Sequence, residues 1–139
     1  MLPLWHAGRV RWWDWYGDGT WAVRALGLAC CVVEVEAATL GRPPLTAPPA
    51  GARRVLIVAG TVTDAVALLV REAVLDTGDC TVVSFGACAC MGGPYWDSPV
   101  VTKGVDQLVP VDHYIAGCPP APGALMTLLD RLREASDAA

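Results

Sequence analysis

At 139 residues the chain has room for one hydrophobic core and not for two. Apolar side chains make up 54% of it, charged ones 17%, and the net charge is −4. That balance excludes a nucleic-acid binder, which needs a concentrated basic face, and favours burial inside an assembly.

The first 21 residues carry Trp5, Trp12, Trp13, Trp15 and Trp21 together with Arg9, Arg11, Asp14 and Asp18. They are too aromatic for a disordered tail, and are expected to lie against a membrane interface, a partner, or the domain itself. Residues 22–139 are expected to form a single α/β domain. The charge-free stretch Ala25 to Val33 is far short of the roughly 18 to 20 apolar residues that cross a bilayer. No export signal opens the chain, so a cytoplasmic setting is expected. The apolar stretch Trp21 to Val33 leads into a predicted helical turn carrying Glu34 and Glu36. Residues 41–51 hold Pro43, Pro44, Pro48 and Pro49, which excludes regular helix or central strand and predicts a surface loop.

From Arg54 the pattern becomes regular. Val55 to Ala59 is a short, continuous apolar run of the kind buried on both faces in a parallel sheet. Thr61, Thr63 and Asp64 offer caps for a helix from about Asp64 to Leu75, which Gly78 closes. Thr81 to Phe85 repeats the buried-strand pattern, and Val111 to Ile115 is predicted as a third strand. A last helix begins near Pro122, with Leu125, Met126, Leu128, Leu129 and Leu132 on one face. Strands alternating with helices predict an α/β fold with a short, mostly parallel sheet.

Six cysteines in a reducing compartment are better read as metal ligands or catalytic thiols than as disulfides. In such a sheet, ligands gather at the carboxyl ends of the strands. Cys88 and Cys90 follow the strand ending at Phe85, inside the glycine-rich loop Gly86 to Gly93. Cys118 follows the strand ending near Ile115, in Gly117-Cys118-Pro119-Pro120. Cys88 and Cys118 with the tandem Cys30 and Cys31 make four thiolates, the number that a cubane iron-sulfur cluster requires. Neighbouring side chains in an extended segment point to opposite faces, so tandem ligands predict a distorted backbone. Cys80 reads as core packing, and Cys90 as packing, a substitute ligand or a sulfur that supports one. A four-cysteine zinc site fits poorly, because zinc ligands usually come in pairs two to four residues apart. His6 and His113 read as surface or edge residues.

Three segments in order carry a family resemblance: Gly27-Leu28-Ala29-Cys30-Cys31-Val32-Val33-Glu34, then Ser84-Phe85-Gly86-Ala87-Cys88-Ala89, then Gly104-Val105-Asp106 through Pro110-Val111-Asp112 to Gly117-Cys118-Pro119-Pro120. This set resembles the B subunit of NADH:quinone oxidoreductase, respiratory complex I, within the wider group of complex I and energy-converting hydrogenase small subunits. Val58-Ala59-Gly60-Thr61-Val62-Thr63 also resembles that family's first strand-to-helix turn. The resemblance implies a flavodoxin-like, three-layer α/β fold and a terminal 4Fe-4S cluster held by Cys30, Cys31, Cys88 and Cys118. It further implies a hydrogenase-like large subunit as partner, quinone at the shared interface, a peripheral position on the cytoplasmic side of the membrane, and Glu34 as an acidic neighbour of the cluster.

The chain departs from the family in three places. Ala37 to Arg54 is shorter than the family segment that helps line the quinone cavity, Ala121-Pro122-Gly123 lacks the family's charges after the proline pair, and Pro94 to Lys103 is about one residue longer. Other readings are a small subunit of an energy-converting hydrogenase or formate-hydrogenlyase complex, an FMN-binding module using Thr61 and Thr63, and an assembly module with a zinc or empty site.

Overall fold

A computed structural model describes residues 12–28 and 30–138. The elements are β1 (Trp12–Asp14), β2 (Trp21–Gly27), α1 (Val32–Thr39), β3 (Pro44–Leu45), β4 (Arg53–Ala59), α2 (Asp64–Thr77), β5 (Thr81–Phe85), α3 (Ala87–Met91), β6 (His113–Ile115) and α4 (Pro122–Asp137), with single 3-10 turns at Gly93–Tyr95 and Val105–Gln107. The six strands form one sheet in the order β3-β1-β2-β4-β5-β6. Strands β2, β4, β5 and β6 run parallel, while β1 pairs antiparallel with both β2 and β3. The expected α/β architecture with a mostly parallel sheet is the one found.

Strand β4 explains why its sequence is so apolar. Successive side chains alternate between faces, so Val55, Ile57 and Ala59 enter one core with α1 and α4, and Leu56 and Val58 enter the other with α2. The first core is filled by Trp15, Trp21, Val35, Phe85, Leu125 and Leu129, the second by Leu26, Val62, Val70, Ala73, Ala89 and Val105. Helix α2 starts after Thr63, whose backbone is extended but whose side chain makes no capping bond. It ends at Gly78, where φ of 80° suits a residue without Cβ. Helix α4 carries Pro122 in its first turn and buries Leu125 and Leu129.

Three expectations change. Trp21 to Gly27 is a central strand rather than the approach to a helix. Its pattern is hidden by Arg24, which is 6% exposed and donates to the Asp76 carboxylate and to Thr77 Oγ1, both at 3.0 Å, over the Trp12 ring. The strand predicted from Val111 begins at His113, because the Asp112 carboxylate caps the Val82 N–H at 2.8 Å in place of a ladder bond. Residues 41–51 contain the edge strand β3, a position where proline costs no ladder bond.

The division drawn at residue 21 falls at the start of β2. Trp12, Trp15 and Trp21 are all buried, and residues 12–14 pair with β2 in the sheet. Trp5, Arg9, Arg11 and His6 lie outside the described residues.

Candidate metal centre

Strand β2 hands the chain to α1 on one face and back towards β3, whereas β4 hands it to α2 on the other face and on to β5. The winding therefore reverses between β2 and β4, and loops diverge at their carboxyl ends. Cys30 and Cys31 sit at that point. Leu28 N–H donates to Ala59 O at 2.8 Å, tying the exit of β2 to that of β4. The backbone at Cys31 is helical, φ −61° and ψ −21°, as the residue before α1. The tandem pair therefore lies in the turn that leads into α1, not in an extended segment. Cys31 is buried and Cys30 is exposed.

Cys88 is buried in the short helix α3, which replaces the loop expected there; its C-cap Gly92 adopts the left-handed conformation. Cys118 is exposed in the turn after β6. Two backbone bonds join the segments that carry these cysteines: Gly86 N–H donates to Ile115 O at 2.8 Å, and Ala87 N–H donates to Gly117 O at 2.7 Å. Glycine is required around them. A Cβ at Gly86, where φ is 96°, would stand 2.6 Å from Cys31 Sγ, and one at Gly93 would stand 2.9 Å from Cys88 Sγ.

The electrostatics place the four thiols in one neighbourhood. The Cys31 thiol is pushed up to about 11, by burial first and then by Cys30, Cys88 and Cys118. A thiol so placed stays protonated at neutral pH unless a cation replaces its proton. Among the described residues, no three His, Cys, Asp or Glu side chains converge as the shell of a single metal ion does. Tetrahedral ligands on one zinc ion, with bonds of about 2.3 Å, would crowd their sulfurs together. A cubane takes one thiolate at each of four separate iron corners, so its ligands stand further apart around a larger body. Four thiols beside a glycine cradle are a donor set that a 4Fe-4S cluster can take.

The other singled-out residues do not join this group. Cys80 lies at the start of β5, at the opposite end of the sheet. Cys90 turns its sulfur away, towards Ser84 O at 3.5 Å and Ile115 O at 3.6 Å. Glu34 lies in the first turn of α1, its N–H donating to Cys31 O at 3.2 Å. His113 is on the edge strand β6, half-buried. Thr63 forms an isolated antiparallel bridge with Val101. Sequence reading missed the carbonyls of Ile115 and Gly117 as the struts between two cysteine segments; backbone acceptors leave no signature in side-chain identity.

Gly86→Ala is expected to keep the fold but to lose most of the metal-binding capacity. The added methyl meets Cys31 Sγ, and its positive φ strains any L side chain. Iron uptake by the refolded variant equal to that of the parent chain would count against the cradle.

A profile of the family described as NADH ubiquinone oxidoreductase, 20 Kd subunit, matches residues 26–132, three quarters of the chain and all four cysteines. The chain belongs to this family. Family members similar to it include B subunit 2 of the NADH-quinone oxidoreductase of Streptomyces griseus, 46% identical over 116 residues, covering 78% of this chain and 49% of the relative. The corresponding B subunit 1 of Salinispora tropica is 45% identical over 117 residues, covering 78% and 62%. B subunit 2 of Symbiobacterium thermophilum is 40% identical over 127 residues, covering 86% and 69%. The chain thus spans about half to two thirds of the length of these relatives. A chain in the structure of the membrane-bound sulfane sulfur reductase, an archaeal respiratory membrane complex, shares the fold with a TM-score of 0.56 at 23% identity, covering 87% of this chain and 72% of that one. No helix among the described residues is long and apolar enough to cross a membrane.

Proposed function

We propose that this family member is an electron-transfer subunit of an NADH:quinone oxidoreductase-like complex, holding a 4Fe-4S cluster on Cys30, Cys31, Cys88 and Cys118. The observation that carries the reading is the placement of four thiols after the carboxyl ends of β2, β5 and β6, with the exits of β5 and β6 tied by backbone bonds. The names of the relatives, subunits of NADH-quinone oxidoreductase, support the same assignment. When bound, the cluster supplies one-electron transfer. The chain's own contribution is to fix the thiols, bury Cys31 and Cys88, and present Cys30 and Cys118 on the surface, where a partner can approach closely.

The partner in this reading is the hydrogenase-like large subunit of the same complex, with quinone as acceptor at the shared interface. The chain sits peripherally on the cytoplasmic side of the membrane. The loop from Ala37 to Arg54 bears on the acceptor. Part of it is folded as β3 against the outer side of β1, on the far side of β2 from β5 and β6. Any quinone cavity is therefore built with less help from this chain than the family pattern provides.

Anaerobic purification, iron and sulfide analysis, and a low-temperature EPR spectrum of the reduced protein test the proposal. About four iron and four sulfide per chain with a reduced-cluster signal are expected. A colourless or zinc-loaded chain would overturn it in favour of an assembly or structural role. Reduction of a quinone analogue by the chain with its large subunit tests the acceptor separately.

A further inference from the structure

Cys90 is the one cysteine near the centre that the ligand set leaves unused. Cys88 and Cys90 stand two positions apart on α3, which turns about 100° per residue, so their side chains leave the helix on opposite sides. The Cys90 sulfur points down onto the ends of two adjacent strands, 3.5 Å from Ser84 O in β5 and 3.6 Å from Ile115 O in β6. These are the strands whose exits carry Cys88 and Cys118. Ile115 O already accepts from Gly86 N–H, so the thiol adds a second contact to the carbonyl that joins the two exits.

Two further observations bear on the same spot. The Ser84 hydroxyl is fully buried and has no hydrogen-bond partner among the described residues. On the other side of α3, a Cβ at Gly104 would come within 2.5 Å of Cys90 O. The glycine thus allows the chain to close over the residue and hold α3 against the sheet.

We propose that Cys90 is a positioning residue for the ligand pair Cys88 and Cys118: its thiol, seated on the Ser84 and Ile115 carbonyls, sets how the two strand exits lie relative to each other. The inference rests on the cluster reading above but acts through contacts present in the metal-free chain. A thiol suits the place because it is small, half-buried and still offers a weak donor to carbonyls at long reach. Cluster potential depends on the hydrogen bonds and burial that the ligand loops provide, so a shift in their spacing is read out there.

The test compares Cys90→Ala, Cys90→Val and Cys90→Ser in the full chain. Hydrogen exchange of the Gly86 and Ala87 amides in the metal-free protein is expected to be several-fold faster in the alanine and valine variants. The amides of Ile57 and Val58 in β4 should be unchanged, and serine, which keeps a donor, should restore most of the protection. In the reconstituted protein, the alanine and valine variants should keep full iron and sulfide but show a displaced midpoint potential in an EPR-monitored titration. Unchanged exchange at Gly86 and Ala87 together with an unchanged potential would overturn the proposal. So would loss of iron from a well-folded valine variant, which would make Cys90 a ligand. Valine fills the thiol's volume and keeps the test informative should the alanine cavity prevent folding. If the parent chain takes up no iron, the cluster reading fails, while the exchange comparison still decides whether Cys90 couples the two exits.

Discussion

Cys31→Ser is expected to leave the fold intact and to abolish cluster binding, whereas Cys80→Ser should bind iron and sulfide as the parent does. The contrast follows from position. Cys31 is 1% exposed at the winding reversal, in the neighbourhood of three other thiols, and its sulfur lies where Gly86 has no side chain. A serine hydroxyl there is nearly the same size but is a hard, weakly acidic donor that does not replace a thiolate on iron. Cys80 is half-buried at the amino end of β5, where burial raises its thiol first and the nearby Asp112 and Asp79 add to it. Among the described residues, no group of three metal-ligating side chains forms there. Iron and sulfide analysis of both variants, with circular dichroism to establish folding, decides the matter. Full iron content in Cys31→Ser would remove that residue from the ligand set.

Trp15→Ala should destabilise the domain by about 3–5 kcal/mol, the range for truncating a large buried aromatic. The ring is 1% exposed, Arg42 stacks over it with 3.8 Å between guanidinium carbon and ring centre, and the Trp15 carbonyl accepts a bond from Arg42. Trp96→Ala is the control. Trp96 is 60% exposed beyond the 3-10 turn at Gly93–Tyr95, and its loss should change stability by no more than about 0.5 kcal/mol. Urea unfolding of both variants separates the cases. A small effect at Trp15 would mean that the hairpin of β1 and β2 is packed on the domain without supporting it.

The parts of the fold that could be read from sequence are those where one pattern decides the outcome. Val55 to Ala59 and Thr81 to Phe85 are buried on both faces, so nothing interrupts their apolar runs, and α2 and α4 carry their boundaries in Thr63, Gly78 and Pro122. Strand β2 was hidden because its buried arginine is neutralised by Asp76, far away in sequence. Helix α3 was hidden because it is five small or flexible residues between glycines, with too little periodicity to declare itself. The candidate ligands were legible through the order of their motifs along the chain. Their mutual spacing, the turn of Cys90 towards the carbonyls and the Gly117 strut depend on how strands pair, which no local pattern encodes.

The thiols at the exits of β2, β5 and β6 come from positions widely separated along the chain, and they meet only once the intervening strand β4 is in place. A cluster attached at all of them would therefore act as a covalent staple closing two long loops at once. Like a disulfide across a long loop, it would cost the unfolded ensemble much of its chain entropy and the native sheet almost none. Cluster insertion would then follow completion of the sheet, and the resistance of the whole domain to heat would become a measure of how full the site is.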